Sequence, residues 1–60
     1  MTLYKREEGD IIVSVAEEEE SGLYCIKVWK SGEFKGSKKL TQLEEAEKLA
    51  DMIADGECDV

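Results

Sequence analysis

Sixty residues carrying a net charge of −7, with no histidine and no proline, leave room for one domain, residues 1–60, around a small core. A chain this short buries only about 60% of the surface that it exposes when unfolded. The lack of histidine removes the commonest general base, and the longest apolar run, "IIVSVA", is far too short to cross a bilayer.

The charge is unevenly spread. Residues 1–22 carry seven acids against Lys5 and Arg6, residues 23–39 carry five lysines against Glu33, and residues 40–60 carry seven acids against Lys48. These blocks sum to −5, +4 and −6, so the chain reads acidic, basic, acidic. Blocks of this kind complement one another within a fold or face different partners.

In chain order, "TLYKR" is a candidate short first strand, turned at Glu8 and Gly9. The opening residues hold no apolar stretch of the secretory kind, and a cytoplasmic protein is expected. "DIIVSVA" alternates as a strand does: Ile11, Val13 and Val15 share one face, while Ile12, Ser14 and Ala16 share the other. "LYCIKVWK" repeats the pattern, with Tyr24, Ile26 and Val28 on one side and Leu23, Cys25, Lys27 and Trp29 on the other. β-Branched and aromatic residues dominate both segments, as strands prefer.

Four consecutive glutamates, residues 17–20, then Ser21 and Gly22, separate these two strands and predict an antiparallel hairpin with a longish loop. Ser31-Gly32 marks a further turn into "EFKGSKKL", a third or fourth strand in which Gly36 suggests a bulge or a fraying end. "TQLEEAEKLADMIADG" predicts a helix. It opens with a Thr41–Glu44 capping box and closes at Gly56, a residue suited to the left-handed position past a helix end. Leu43, Ala46, Leu49, Ala50 and Ile53 form its apolar stripe, with Glu44, Glu47, Asp51 and Asp55 opposite. Glu44 and Lys48 are spaced as a favourable pair. The fold class is therefore α+β: a small antiparallel meander of three to four strands with one C-terminal helix packed on one face.

The glutamate run lacks the alternating ligands and central glycine of a calcium loop. A hairpin tip supplies neither the cleft nor the perturbed carboxyl that glycosidic chemistry needs. It reads as a solvated tip, or at most an element that steers a basic partner. Cys25 has no imidazole to activate it, and "SGEFKGSKK" lacks the spacing of a phosphate loop. Cys25 and Cys58 match no zinc or redox spacing and read as reduced thiols. No enzyme, metal or cofactor is expected.

The second sheet face is more informative. One helix covers one side of a sheet, and the other side is then usually polar. Here it offers Ile12, Leu23, Cys25 and Trp29, interrupted by Ser14 and Lys27. An open apolar patch marks an interface, and tryptophan is enriched at binding hot spots. With the helix acids Glu44, Glu47, Asp51 and Asp55, these residues predict a protein partner that presents a basic surface. A homodimer is a further possibility. Nucleic acid is less favoured, because a basic domain is its expected footprint, although Lys27, Lys30, Lys35, Lys38 and Lys39 run beside Tyr24, Trp29 and Phe34. No membrane is expected.

The order of "IIVSVA", "GLYCIKVWK" and "TQLEEAEKLADMI" resembles the HicB-type antitoxin core, with Thr41 and Glu44-Glu45-Ala46 matching the opening of that family's helix. The proline-containing segment expected after the second strand is missing. In size, charge and its single helix on a sheet, the chain is also similar to small acidic phage proteins that block host machinery, anti-CRISPR proteins among them. These resemblances imply, respectively, a regulatory antitoxin-like module and an inhibitor of a nucleic-acid-handling complex. Neither assigns a role to a particular residue.

Overall fold

The computed structural model describes residues 2–57. It contains four strands, β1 (Thr2–Glu8), β2 (Ile11–Glu17), β3 (Tyr24–Lys30) and β4 (Glu33–Leu40), followed by one helix, α1 (Leu43–Ala54). The strands form a single antiparallel sheet in the order β1-β2-β3-β4. The expected meander is thus present with four strands, and the first strand runs further than the "TLYKR" segment suggests.

Turn chemistry sets the register. A two-residue connection, Gly9-Asp10, joins Glu8 to Ile11, and Gly9 takes the positive φ of 61° that such a tight hairpin demands. Ser31 and Gly32 both lie at positive φ, 53° and 80°, as a type I′ hairpin requires of its two central residues. The two turns lie side by side at one end of the sheet. The Ser31 hydroxyl donates to the Asp10 carboxylate at 2.8 Å, and the Ser31 amide donates to the Asp10 carbonyl at 2.9 Å. The hydroxyl also holds the Asp10 carboxyl below its ordinary range.

Both outer strands are bulged. Leu3 is an extra residue between the Thr2–Ala16 and Tyr4–Val15 pairs. On β4, Lys35 is extra between the Trp29–Phe34 and Val28–Gly36 pairs, beside the glycine whose sequence position suggested a bulge. Edge bulges and lysines discourage edge-to-edge pairing with other chains.

The core lies between sheet and helix. Val13, Val15, Ile26 and Val28 from the two central strands meet Ala46, Ala50, Ile53 and Ala54 of α1, with Tyr4, Ile11, Tyr24, Leu40, Leu43 and Leu49 packed round them. Val13, Val15 and Ile26 are fully buried, and each contributes about 1.5–3 kcal/mol of transfer free energy. Small alanines on α1 let the helix sit close to the β-branched side chains beneath it.

The helix ends bear out one expected cap and correct the other. The N-cap is Gln42, extended at φ −127° and ψ 135°, and no side chain caps the helix. Thr41 lies one residue outside that position, so the anticipated Thr41–Glu44 box does not form. At the other end the Gly56 amide donates to the Ile53 carbonyl at 3.1 Å and the Glu57 amide to the Met52 carbonyl at 2.8 Å. With Gly56 at φ 81°, this is a Schellman cap. Among the described residues the expected Glu44–Lys48 ion pair is absent. None of their helices is long and apolar enough to cross a membrane.

Candidate functional site: the open face of the sheet

Because side chains alternate along a strand, the residues that do not face α1 line the other side of the sheet, and the register orders them in transverse rows. One row runs Glu7, Ile12, Trp29, Phe34. The next runs Lys5, Ser14, Lys27, Ser37. A third runs Thr2, Ala16, Cys25, Lys39. An apolar row thus lies beside a row bearing two lysines.

Trp29 and Phe34 form an edge-to-face pair with centroids 5.7 Å apart and ring planes at 64°, a favoured aromatic geometry. Phe34 remains 56% exposed. A shallow groove of about 440 Å³, lined by Thr2, Lys5, Ile12, Ser14, Trp29 and Gly32, runs beside the indole.

The sequence-predicted contact residues divide between two sides of the molecule. Ile12 and Trp29 are half-buried on the open face, as expected. Leu23 is half-buried but precedes β3, where its carbonyl accepts the Glu18 amide at 2.8 Å and helps close the hairpin loop. Cys25 corrects the expectation of an accessible side chain: it points to the open face yet is only 6% exposed. It sits on an interior strand between Ala16 and Lys39. The Lys39 ammonium reaches Glu18 at 3.1 Å. Cys58 lies outside the described residues, and with it the question of a Cys25–Cys58 bridge.

The helix acids are on the far side. Glu44 is exposed and Glu47 half-buried. Asp51 accepts the Tyr4 phenol at 2.5 Å and pairs with the Arg6 guanidinium at 3.1 Å. Asp55 pairs with the same guanidinium at 3.3 Å, and Arg6 also bonds Glu8. Tyr4 first, then Arg6, holds the Asp51 carboxyl below its ordinary range, while the same bond raises the Tyr4 phenol. The carboxylates of Asp51 and Asp55 are therefore engaged within the molecule.

The glutamate run also divides. Glu17 ends β2. Glu18 takes Lys39, accepts the Ser21 hydroxyl at 3.2 Å, and accepts the Gly22 amide on its carbonyl at 2.8 Å. The Lys39 ammonium, then the Ser21 hydroxyl, lowers its carboxyl pKa. The side chains of Glu17, Glu19 and Glu20 are exposed and make no hydrogen bond or ion pair among the described residues. Among those residues no group of three or more potential ligand side chains is gathered for a metal.

Phe34 and Lys5 join the site without having been picked out for it by sequence reading. Phe34 was legible: a two-residue Ser31-Gly32 turn pairs Lys30 with Glu33 and hence Trp29 with Phe34. No protein-family model, curated protein or solved structure matches the chain. The likeness to an antitoxin core stands on the order of strands and helix and on Thr41 and Glu44-Glu45-Ala46 at the helix start.

Proposed function

We propose that this chain is a non-enzymatic interaction module that docks on a protein partner through the open face of its sheet. The observation that carries this reading is the Trp29–Phe34 pair beside Ile12 on a face the helix does not cover, with Phe34 56% exposed. Exposed aromatic and aliphatic side chains gathered on one surface mark an interaction site, and aromatic anchors carry most of the energy of such contacts. A module of this size acts by occupying a surface, as an inhibitor or a regulatory subunit does. The non-enzymatic reading rests on a chain without histidine and a thiol that is buried.

The helix acids do not extend this surface. Glu44, Glu47, Asp51 and Asp55 lie across the sheet from Trp29, so a single flat basic surface meets one set or the other. Contact through the sheet face is favoured, because Asp51 and Asp55 already bind Tyr4 and Arg6.

The test is affinity capture from lysate of the source cell, with and without nuclease, using wild type, Trp29→Ser and Phe34→Ser. The expected result is a protein that survives nuclease and whose affinity falls by about thirtyfold or more with Trp29→Ser, the effect of losing a hot-spot aromatic. Capture that is indifferent to both substitutions overturns the reading.

A further inference from the structure

The ordering of side chains on the open face also points to the chemistry of its partner, given the docking role proposed above. The apolar row containing Ile12 and Trp29 lies two residues along the strands from the row containing Lys5 and Lys27. At a rise of about 3.3 Å per residue, the rows are about 7 Å apart. Lys5 is already paired with Glu7 at 3.2 Å, and Lys39 with Glu18 at 3.1 Å. Lys27 is exposed at the centre of the sheet and makes no ion pair among the described residues. Ser14, directly opposite Lys27, lines the groove beside Trp29.

We infer that the face receives a protein segment bearing an apolar side chain and a carboxylate about 7 Å apart, the spacing of residues i and i+2 in an extended chain. The apolar group rests in the groove between Ile12 and Trp29, and the carboxylate meets Lys27.

Charge complementarity selects this occupant over two others. A nucleic-acid strand is held by a succession of cations along its phosphates. On this face one lysine makes no ion pair among the described residues, Glu7 stands at the end of the aromatic row, and the molecule carries −7 overall. A second copy of this chain offers on the same face the carboxylates of Glu7 and Glu18, which already hold Lys5 and Lys39, and so brings no free anion for Lys27. A single carboxylate beside an apolar anchor needs only what the face has free. The helix acids lie on the far side of the molecule, and salt screens them over about 8 Å at physiological ionic strength.

The experiment is selection from a random dodecapeptide display library on three immobilised baits: wild type, Lys27→Glu and Trp29→Ser. Circular dichroism first verifies that each bait is folded. On wild type, the expected enriched peptides place Asp or Glu two residues from Leu, Ile, Phe or Met. On Lys27→Glu the acidic preference gives way to Lys or Arg, and a synthetic wild-type-selected peptide loses about tenfold or more in affinity. The solitary Trp29 reports that affinity by its own fluorescence.

Peptides that require Trp29 but show no acidic preference, or that bind Lys27→Glu equally well, overturn this inference and leave the docking role standing. Failure to enrich any Trp29-dependent peptide overturns both. Quenching of Trp29 by oligo(dT), with affinity falling by several powers of salt concentration, assigns the face to single-stranded nucleic acid and overturns the peptide reading.

Discussion

The Tyr4 phenol on β1 donates a hydrogen bond to the Asp51 carboxylate on α1, joining residues 47 positions apart. With Arg6, which holds Asp51 at 3.1 Å and Asp55 at 3.3 Å, it ties the edge strand to the last turns of the helix. Tyr4 also packs against the core cluster, so this polar seam borders the core.

The seam makes stability depend on pH in a defined direction. Asp51 has a folded pKa below its ordinary 3.8, so its contribution is fully present above that value and is lost as pH falls through the folded pKa. Tyr4 is raised above 10.0, so its contribution is present below pH 10 and is lost as pH climbs through the folded pKa. Asp51→Asn is expected to lower urea stability at pH 7, with the gap to wild type closing below pH 3.8. Tyr4→Phe and Asp51→Asn combined should cost less than the sum of the single changes. A gap that persists in acid, or strict additivity, removes the seam from the account.

Arg6 supplies what the helix sequence lacks. The last turn of α1 has no basic residue and is followed by Asp55 at the C-cap, a charge unfavourable at the negative end of a helix dipole. Arg6→Met should therefore speed amide hydrogen exchange in residues 51–57 while leaving β2 and β3 protected. Uniform change across the domain, or none, places the effect elsewhere.

The uncapped helix start is open to improvement. Gln42 already has the extended backbone of an N-cap, and an aspartate there can accept from the amides of the first turn. Gln42→Asp is expected to stabilise by about 1 kcal/mol, a rise in Tm of about 4–8 °C for so small a domain. Thr41→Ala should leave Tm nearly unchanged. A large loss from Thr41→Ala would restore the Thr41–Glu44 box.

Gly32 isolates backbone strain from packing. A Cβ added there meets no atom within 4 Å, yet the residue lies at φ 80°. Gly32→Ala should cost about 1–2 kcal/mol through left-handed backbone strain alone. Denaturant titration at neutral pH reads this directly, and a neutral substitution contradicts the turn geometry.

Ile26 is the largest fully buried side chain. Ile26→Val should cost about 0.5–1.5 kcal/mol and Ile26→Ala about 2–5. A domain below about 70 residues rarely has more than 3–5 kcal/mol in hand, so Ile26→Ala is expected to be largely unfolded at 25 °C by circular dichroism. A folded Ile26→Ala with an unchanged midpoint would show that the core lies elsewhere.

By itself the sequence determined the local structure and the side each strand residue takes. Alternation in "IIVSVA" and "YCIKVW" assigned Val13, Val15, Ile26 and Val28 to the helix-facing side and Ile12 and Trp29 to the other, because a strand has a period of two whatever it packs against. Gly9, Ser31-Gly32 and Gly56 marked the chain reversals and the helix end because few residues tolerate positive φ. Tertiary structure alone decided what the polar and marginal side chains do. Asp51 and Asp55 read as a free acidic face until β1 brings Tyr4 and Arg6 beside them, and nothing local to the helix encodes partners 45 to 49 residues away. Cys25 read as exposed because alternation assigns a face and not a depth. On an interior strand, with Ala16 and Lys39 on either side, it is only 6% exposed.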